Sequence, residues 1–321
     1  MKADVGPIDL GRVKTYALAN RPSKVGTPEF AGVWAPGGAF SAFLERLPRV
    51  LAAADLRAVI AAIVAAFRGQ HPVILGMGAH VIKTGLSPIV IDLMQRGIIS
   101  GVALNGAGII HDLEVAMTGR TSEEVGPALD DGSFGMAEET SAVIASALEA
   151  AVPGETGLGR AVGAMLLASG FPFTEKSILA AGARWGVPVT VHVAIGTDII
   201  HMHPEFDAAG AGAASHVDFR ILAAQVAQLE GGVYINAGSA VILPEVFLKA
   251  VGLARNLGHR LDAFTTVNLD FVRHYRPTVN VVQRPTARGG RGISLVGHHE
   301  IMIPLLAAMM SASFGSNWRK Q

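Results

Sequence analysis

Two hydrophobic rhythms alternate along most of this chain. Short continuous apolar runs bounded by Gly, Pro or Asn fit strands buried on both faces. Longer runs with apolar positions three and four apart fit helices packed on a sheet. The runs predict strands over 73–75, 100–104, 188–193, 232–236, 263–268 and 292–296. They predict helices over 51–67, 88–96, 138–151, 159–169, 177–185, 217–228, 244–256 and 300–311. Such alternation implies βαβ units with right-handed crossovers, hence an α/β fold: a doubly wound, mostly parallel sheet with helices on both faces. Residues 1–321 read as a single domain of this kind, with residues 1–45, rich in Pro and Gly, as an extended N-terminal arm. The acidic stretch 119–156, with the loop signal Asp130-Asp-Gly-Ser-Phe-Gly135, reads as an excursion from the sheet.

Two strand-to-helix turns carry the most specific pattern. Val102-Ala-Leu-Asn-Gly-Ala-Gly-Ile-Ile-His-Asp112 leads an apolar strand through small residues into a helix that opens near His111 and Asp112. Gly106, Ala107 and Gly108 leave the backbone bare, and the helix start offers free N–H groups and a partial positive charge. Pro72-Val-Ile-Leu-Gly-Met-Gly-Ala-His80 repeats the pattern with Gly76, Gly78 and His80. It is not the dinucleotide fingerprint, because the third glycine of G-x-G-x-x-G would fall at Val81.

Polar residues gather where the strands end. Asn105 and His111 follow the second strand, and His192 ends the third, with Asp198, His201 and His203 after it. Asn236-Ala-Gly-Ser-Ala240 follows the fourth, Asn268 and Asp270 the fifth, and His298-His-Glu300 the last. Carboxyl ends of strands are where α/β sheets bind ligands.

Composition narrows the chemistry. Lys+Arg and Asp+Glu are 26 each, so there is no electrostatic footprint for nucleic acid or an anionic membrane. With no cysteine, thiolate catalysis, disulfides and Cys-ligated metal sites are excluded. Half the residues are hydrophobic and 16% charged, which suits a sheet covered on both faces or an oligomer. The first seven residues hold no signal-type apolar run, and no apolar run is long enough to span a bilayer. A cytoplasmic protein acting on a small molecule is expected.

On these residues the chain resembles the deoxyhypusine synthase family, over about 72–308. The segment Ile74–Gly85 looks like that family's first nucleotide-contacting turn. Asn105-Gly-Ala-Gly-Ile-Ile-His-Asp112 is similar to its Thr-Thr-Ala-Gly-Gly-x-Glu-Glu stretch, and Asn236-Ala-Gly-Ser-Ala240 to its Gly-Gly-Gly turn. Thr265-Thr-Val-Asn-Leu-Asp270 resembles its Asn-Thr-Ala-Gln-Glu-Phe-Asp, and His298 stands at the aspartate of its final Ala-Asp-Ala. The resemblance implies an NAD-binding fold and a homo-oligomer, dimer or tetramer. The implied cofactor residues are Gly76, Gly78, His80, Asn105, Gly106, Ala107, Gly108, Gly238, Ser239, Ala240, Thr265 and Asp270.

The chain departs from the family at its chemistry. The family's imine-forming lysine corresponds to Val282-Gln-Arg284 here, and arginine keeps its proton, so it cannot serve as an amine nucleophile. Histidines at 111 and 298 replace acids that hold a polyamine, so a neutral or anionic substrate is expected and deoxyhypusine synthesis is not. Three readings follow. The first is an NAD-dependent oxidoreductase or transferase with His111, Asp112, Asp198, His201 and His298 as the candidate catalytic set, since imidazole titrates near working pH. The second is a metal-dependent hydrolase or lyase with zinc or manganese on His192, His201 and His203. The third is a non-catalytic nucleotide-binding relative.

Overall fold

The chain divides into two compact units, Met1–Val50 and Leu51–Gln321. The structure, a computed structural model, describes residues 5–151 and 156–314. The expectations made for residues 1–4 and for 152–155 of the acidic excursion lie outside the described residues.

In the first unit, the single 3-10 turns Leu18–Asn20 and Thr27–Glu29 precede helix α1 (Phe40–Arg46). Apart from these turns, residues 5–39 carry no helix or strand and are mostly exposed. Trp34 and Phe40 pack on Phe43, with ring centroids 6.2 and 6.1 Å apart.

The second unit is built on six strands: β1 (Val73–Met77), β2 (Gly101–Asn105), β3 (Val189–His192), β4 (Val233–Ala237), β5 (Thr265–Asp270) and β6 (Arg291–Val296). They form one sheet in the order β3-β2-β1-β4-β5-β6, with every neighbouring pair parallel. All six lie where the apolar runs place them. The helices are α2 (Leu51–Arg68), α3 (His80–Lys83), α4 (Ser87–Gln95), α5 (Gly106–Thr118), α6 (Val125–Asp130), α7 (Glu138–Ala151), α8 (Leu158–Ser169), α9 (Ile178–Trp185), α10 (Ala208–Val226), α11 (Ile242–Asn256), the single turn α12 (Tyr275–Pro277) and α13 (His299–Phe314). A π-helical stretch, Thr278–Gln283, follows α12. Among the described residues no helix is long and apolar enough to cross a membrane.

Side chains along β1 alternate between two cores, as a pleat requires. Val73 and Leu75 meet Ile63 of α2, Val90 of α4 and Ile303 and Leu306 of α13 on one face. Ile74 joins Leu222 of α10 and Leu243, Phe247 and Val251 of α11 on the other. Tyr234 of β4 stacks flat on Phe247, 3.6 Å between centroids.

Strand β3 is an edge, and an open edge invites pairing with another chain. Helix α10 closes it with side chains. The Asp218 carboxylate accepts the Val191 N–H at 2.9 Å, and the Ser215 hydroxyl donates to the Val191 carbonyl while accepting from the Val193 N–H. The same Asp218 oxygen accepts from Gly159 N–H at 2.9 Å, so it also caps the start of α8. Its other oxygen is buried with no partner. Burial pushes the Asp218 carboxyl up to about 7, against the pull of these backbone N–H groups.

A raised acid favours folding in its protonated form. The Asp218 contribution is therefore complete below its ordinary pKa near 3.8 and is lost as pH rises through about 7. Asp218→Asn keeps an acceptor for the N–H groups and removes this titration. Urea unfolding of the two proteins between pH 5 and pH 8.5 is expected to show the variant gaining on the wild type as pH rises. A pH-independent difference would show that Asp218 titrates normally.

Candidate functional site

The strand order reverses direction between β1 and β4, and open α/β sheets bind ligands at the carboxyl ends beside such a reversal. Here the two strands come together on glycines. A Cβ on Gly76 would overlap the Tyr234 hydroxyl, and one on Gly78 would overlap the Gly238 carbonyl. Gly238 has φ +67° and faces the His299 ring. Asn236 Nδ2 donates to Asn268 Oδ1 at 2.8 Å and to the Ser239 carbonyl at 2.9 Å, while Ser239 Oγ accepts from Leu243 N–H and caps α11. Half-buried Ala240 completes this turn.

Rings stand over this crevice. His80, exposed at the start of α3, meets the buried His299 edge-on at 5.5 Å and Phe271 at 6.5 Å. Phe271, 51% exposed, lies parallel to His298, 5.9 Å apart at 3°. His299 Nε2 donates to the Leu269 carbonyl at 3.1 Å, and its Nδ1 is buried without a partner. Asp270 sits beneath, buried, accepting the Phe271 N–H on Oδ1. Thr265 is not part of this group. It is the first residue of β5 and Asp270 the last, so about 16 Å of strand separates them.

A cavity of about 210 Å³ opens beside the α5 turn, lined by Lys83, Ala107, His111, Glu114, Thr197 and Asp198 among others. Asn105 Oδ1 accepts the Gly108 N–H at 3.0 Å and caps α5. Gly106 is glycine because Asp198 rests on it: a Cβ there would overlap Asp198 Oδ2. Gly108 is tight in its own way, with a Cβ falling 3.1 Å from Leu104 Cβ. Asp198 Oδ2 is buried with no partner, and burial raises its carboxyl above the ordinary range despite His201 and Thr197. His201 Nδ1 accepts from the N–H groups of Gly196 and Asp198, at 3.0 and 3.2 Å, and its Nε2 is buried without a partner.

His111 Nδ1 lies 2.6 Å from Thr121 Oγ1, which donates to Glu114 Oε2 at 2.5 Å. Burial pulls the Glu114 carboxyl upward, yet His111 and Thr121 together hold it below the ordinary range. Glu114 was not among the sequence candidates, and Lys83 entered only as an alternative imine-forming lysine on the helix of the first turn. Glu114 could have been found, because it stands three residues after His111 on the same helix face. The cavity also includes Glu123, so it carries three carboxylates beside Lys83 and His111.

Other candidates are placed elsewhere. Asp112 is wholly buried and points away from its neighbour His111. It accepts from Ser177 Oγ at 2.5 Å and from the N–H groups of Ile178 and Leu179, capping α9, and burial raises it to about 6. His192 is buried on β3, bonded to Thr190 Oγ1 at 3.0 Å and pushed down to about 4 by burial. His203 Nε2 donates to the Gly135 carbonyl at 2.8 Å. Among the described residues no three His, Asp or Glu side chains group where they could hold a metal ion, so His192, His201 and His203 are not brought together. Val282 and Gln283 lie in the π-helical stretch, and Arg284 donates to Asn280 Oδ1 at 2.9 Å.

No family model matches the chain, and no curated protein is significantly similar to it. Solved structures share its fold. A protein of the LOR/SDH group from Methanococcus maripaludis S2 aligns over 83% of this chain and 71% of its own, at 15% identity and a TM-score of 0.52. AgrE, in a ternary complex with ornithine and NAD+, aligns over 83% of this chain at 15% identity and a TM-score of 0.50. This chain covers 34% of that AgrE chain, about a third of its length. A protein described as a deoxyhypusine synthase from Entamoeba histolytica aligns over 85% of this chain and 93% of its own, at 11% identity and a TM-score of 0.49. At these identities the likeness is one of fold.

The seat of Asp198 on Gly106 makes a coupled prediction. Gly106→Ala is expected to cost about 1–3 kcal/mol in urea unfolding, the range for overpacking. In an Asp198→Ala background the same change should be nearly free or stabilising, because alanine suits a helix better than glycine by up to about 1 kcal/mol. Equal costs in both backgrounds would place the Asp198 carboxyl elsewhere.

Proposed function

We propose that this chain is an NAD-binding enzyme that acts on a small polar molecule in the α5 cavity. The observation that carries the reading is the meeting of Lys83, His111, Glu114 and Asp198 in one cavity at the carboxyl side of the sheet. An unpartnered buried oxygen of Asp198 adjoins the α5 start. Buried polar atoms are normally paired, and those that are not mark places a ligand can complete. Lys83 forms no ion pair among the described residues, which suits it to hold a polar or anionic group of the ligand. His111 can exchange a proton with the ligand, and Asp198, raised by burial, can keep its own proton closer to neutrality than an exposed carboxyl would.

The crevice residues fit a dinucleotide. His80, Phe271 and His298 place aromatic rings there, and Gly78 and Gly238 keep side chains out of the turns between them. NAD bound there would supply hydride exchange. The AgrE structure of the same fold, which holds ornithine and NAD+, supports this choice of cofactor. Transfer of a butylamine group is not part of the proposal, because Arg284 cannot form the imine.

Titration calorimetry with NAD and NADH is expected to show saturable heat. Phe271→Ala should weaken binding by about 1–3 kcal/mol, the range for losing an aromatic stacking partner. No heat with either form, and no nicotinamide nucleotide released on denaturing the purified protein, would overturn the cofactor assignment.

A further inference from the structure

We infer that Glu114 and Thr121 are positioning residues that lock His111 with its proton on Nδ1, so that Nε2 faces the cavity as a proton acceptor for a hydroxyl or amine of the ligand. The inference rests on the reading of the α5 cavity as the active site.

The argument follows the protons. Thr121 has one hydroxyl hydrogen and two places to send it. Glu114 Oε2, at 2.5 Å, belongs to a carboxyl held ionised, so it can only accept. The Thr121 hydrogen therefore points to Glu114, and the Thr121 oxygen can only accept from His111, at 2.6 Å. That assignment puts the ring proton on Nδ1. Thr140 Oγ1 donates to the other Glu114 oxygen at 3.5 Å, so the carboxylate is held from both sides. Nε2 has no protein partner among the described residues, and the His111 side chain, 17% exposed, lines the cavity. Neutral imidazole more often carries its proton on Nε2 in water, so this environment inverts the usual preference.

The proton step balances within the site. An O–H or N–H bond of the ligand breaks with its electron pair left on oxygen or nitrogen, and a new N–H bond forms at Nε2. The imidazolium then lies 3.7 Å from the Glu114 carboxylate, which offsets its charge. Around the same cavity Asp198 and Glu123 favour that cation and Lys83 opposes it.

Long-range ¹H–¹⁵N spectra of the labelled, ligand-free full chain test the inference directly. At pH 8, His111 is expected to show a protonated Nδ1 and an unprotonated Nε2. Thr121→Val and Glu114→Gln should shift the ring towards Nε2–H. Thr121→Ser should restore the wild-type signature, which separates proton positioning from general loss of structure. A wild-type His111 protonated on Nε2, or a tautomer unmoved by both variants, would overturn it. The spectra need no cofactor, so a failed NAD titration with an Nδ1–H signature would count against the cofactor assignment and not against the relay.

Discussion

The contact between β1 and β4 sets the terms for everything above it. These strands lead their helices to opposite faces of the sheet, and beyond their ends the two loops touch backbone to backbone. Side chains are forbidden on the facing sides: Gly76 lies under the Tyr234 hydroxyl and Gly78 lies against the Gly238 carbonyl. The Gly78 N–H donates to the Ala237 carbonyl at 2.9 Å, which ties the first loop to the fourth strand. Asn236 and Asn268 continue the tie to the fifth. The glycines beside the proposed dinucleotide crevice are thus first a packing solution.

A second device appears twice. Asp112 and Asp218 are buried carboxyls on long helices, and each reaches across to the start of another helix, α9 or α8, to accept its free N–H groups. Both are raised by burial, which the hydrogen bonds only partly offset. Each ties the start of one helix to another, and Asp218 ties in β3 as well. Asp112 shows how close such a role can lie to chemistry, for its neighbour His111 turns to the cavity while Asp112 turns to the core. Successive residues on a helix point about 100° apart, so adjacency in the chain is a poor guide to a shared site.

The sheet was legible because β1 and β2 are short, largely apolar runs, the signature of strands covered on both faces, while β5 and β6 keep apolar residues at alternating positions. Helix α10 was legible only in part. The expected start at 217 misses the run Ala208-Ala-Gly-Ala-Gly-Ala-Ala214, whose small residues carry no apolar period, although Asp207 caps it by accepting the Gly210 N–H at 2.9 Å. The turns at Asn105–Gly108 and Gly238–Ala240 were legible as glycine-rich loops, but their glycines answer to Asp198 and His299, which no spacing rule reveals. Thr265 entered the candidate set through a motif that runs the length of a strand, and strand direction alone separates its two ends. Lys83 carries no pattern of its own in the sequence and reaches the cavity only because α3 packs beside α5.

The strand order also has a kinetic side. The first three strands are neighbours in the chain and in the sheet, whereas β4 must cross back over β2 and β1 to reach its place. Contacts between distant parts of a chain carry a larger loop-closure cost and form slowly. The meeting of Gly78 with Gly238 is such a contact. The crevice therefore has no existence in a half-folded chain: it comes into being when the second half docks on the first, and a nascent chain cannot hold a ligand there until synthesis has carried β4 out.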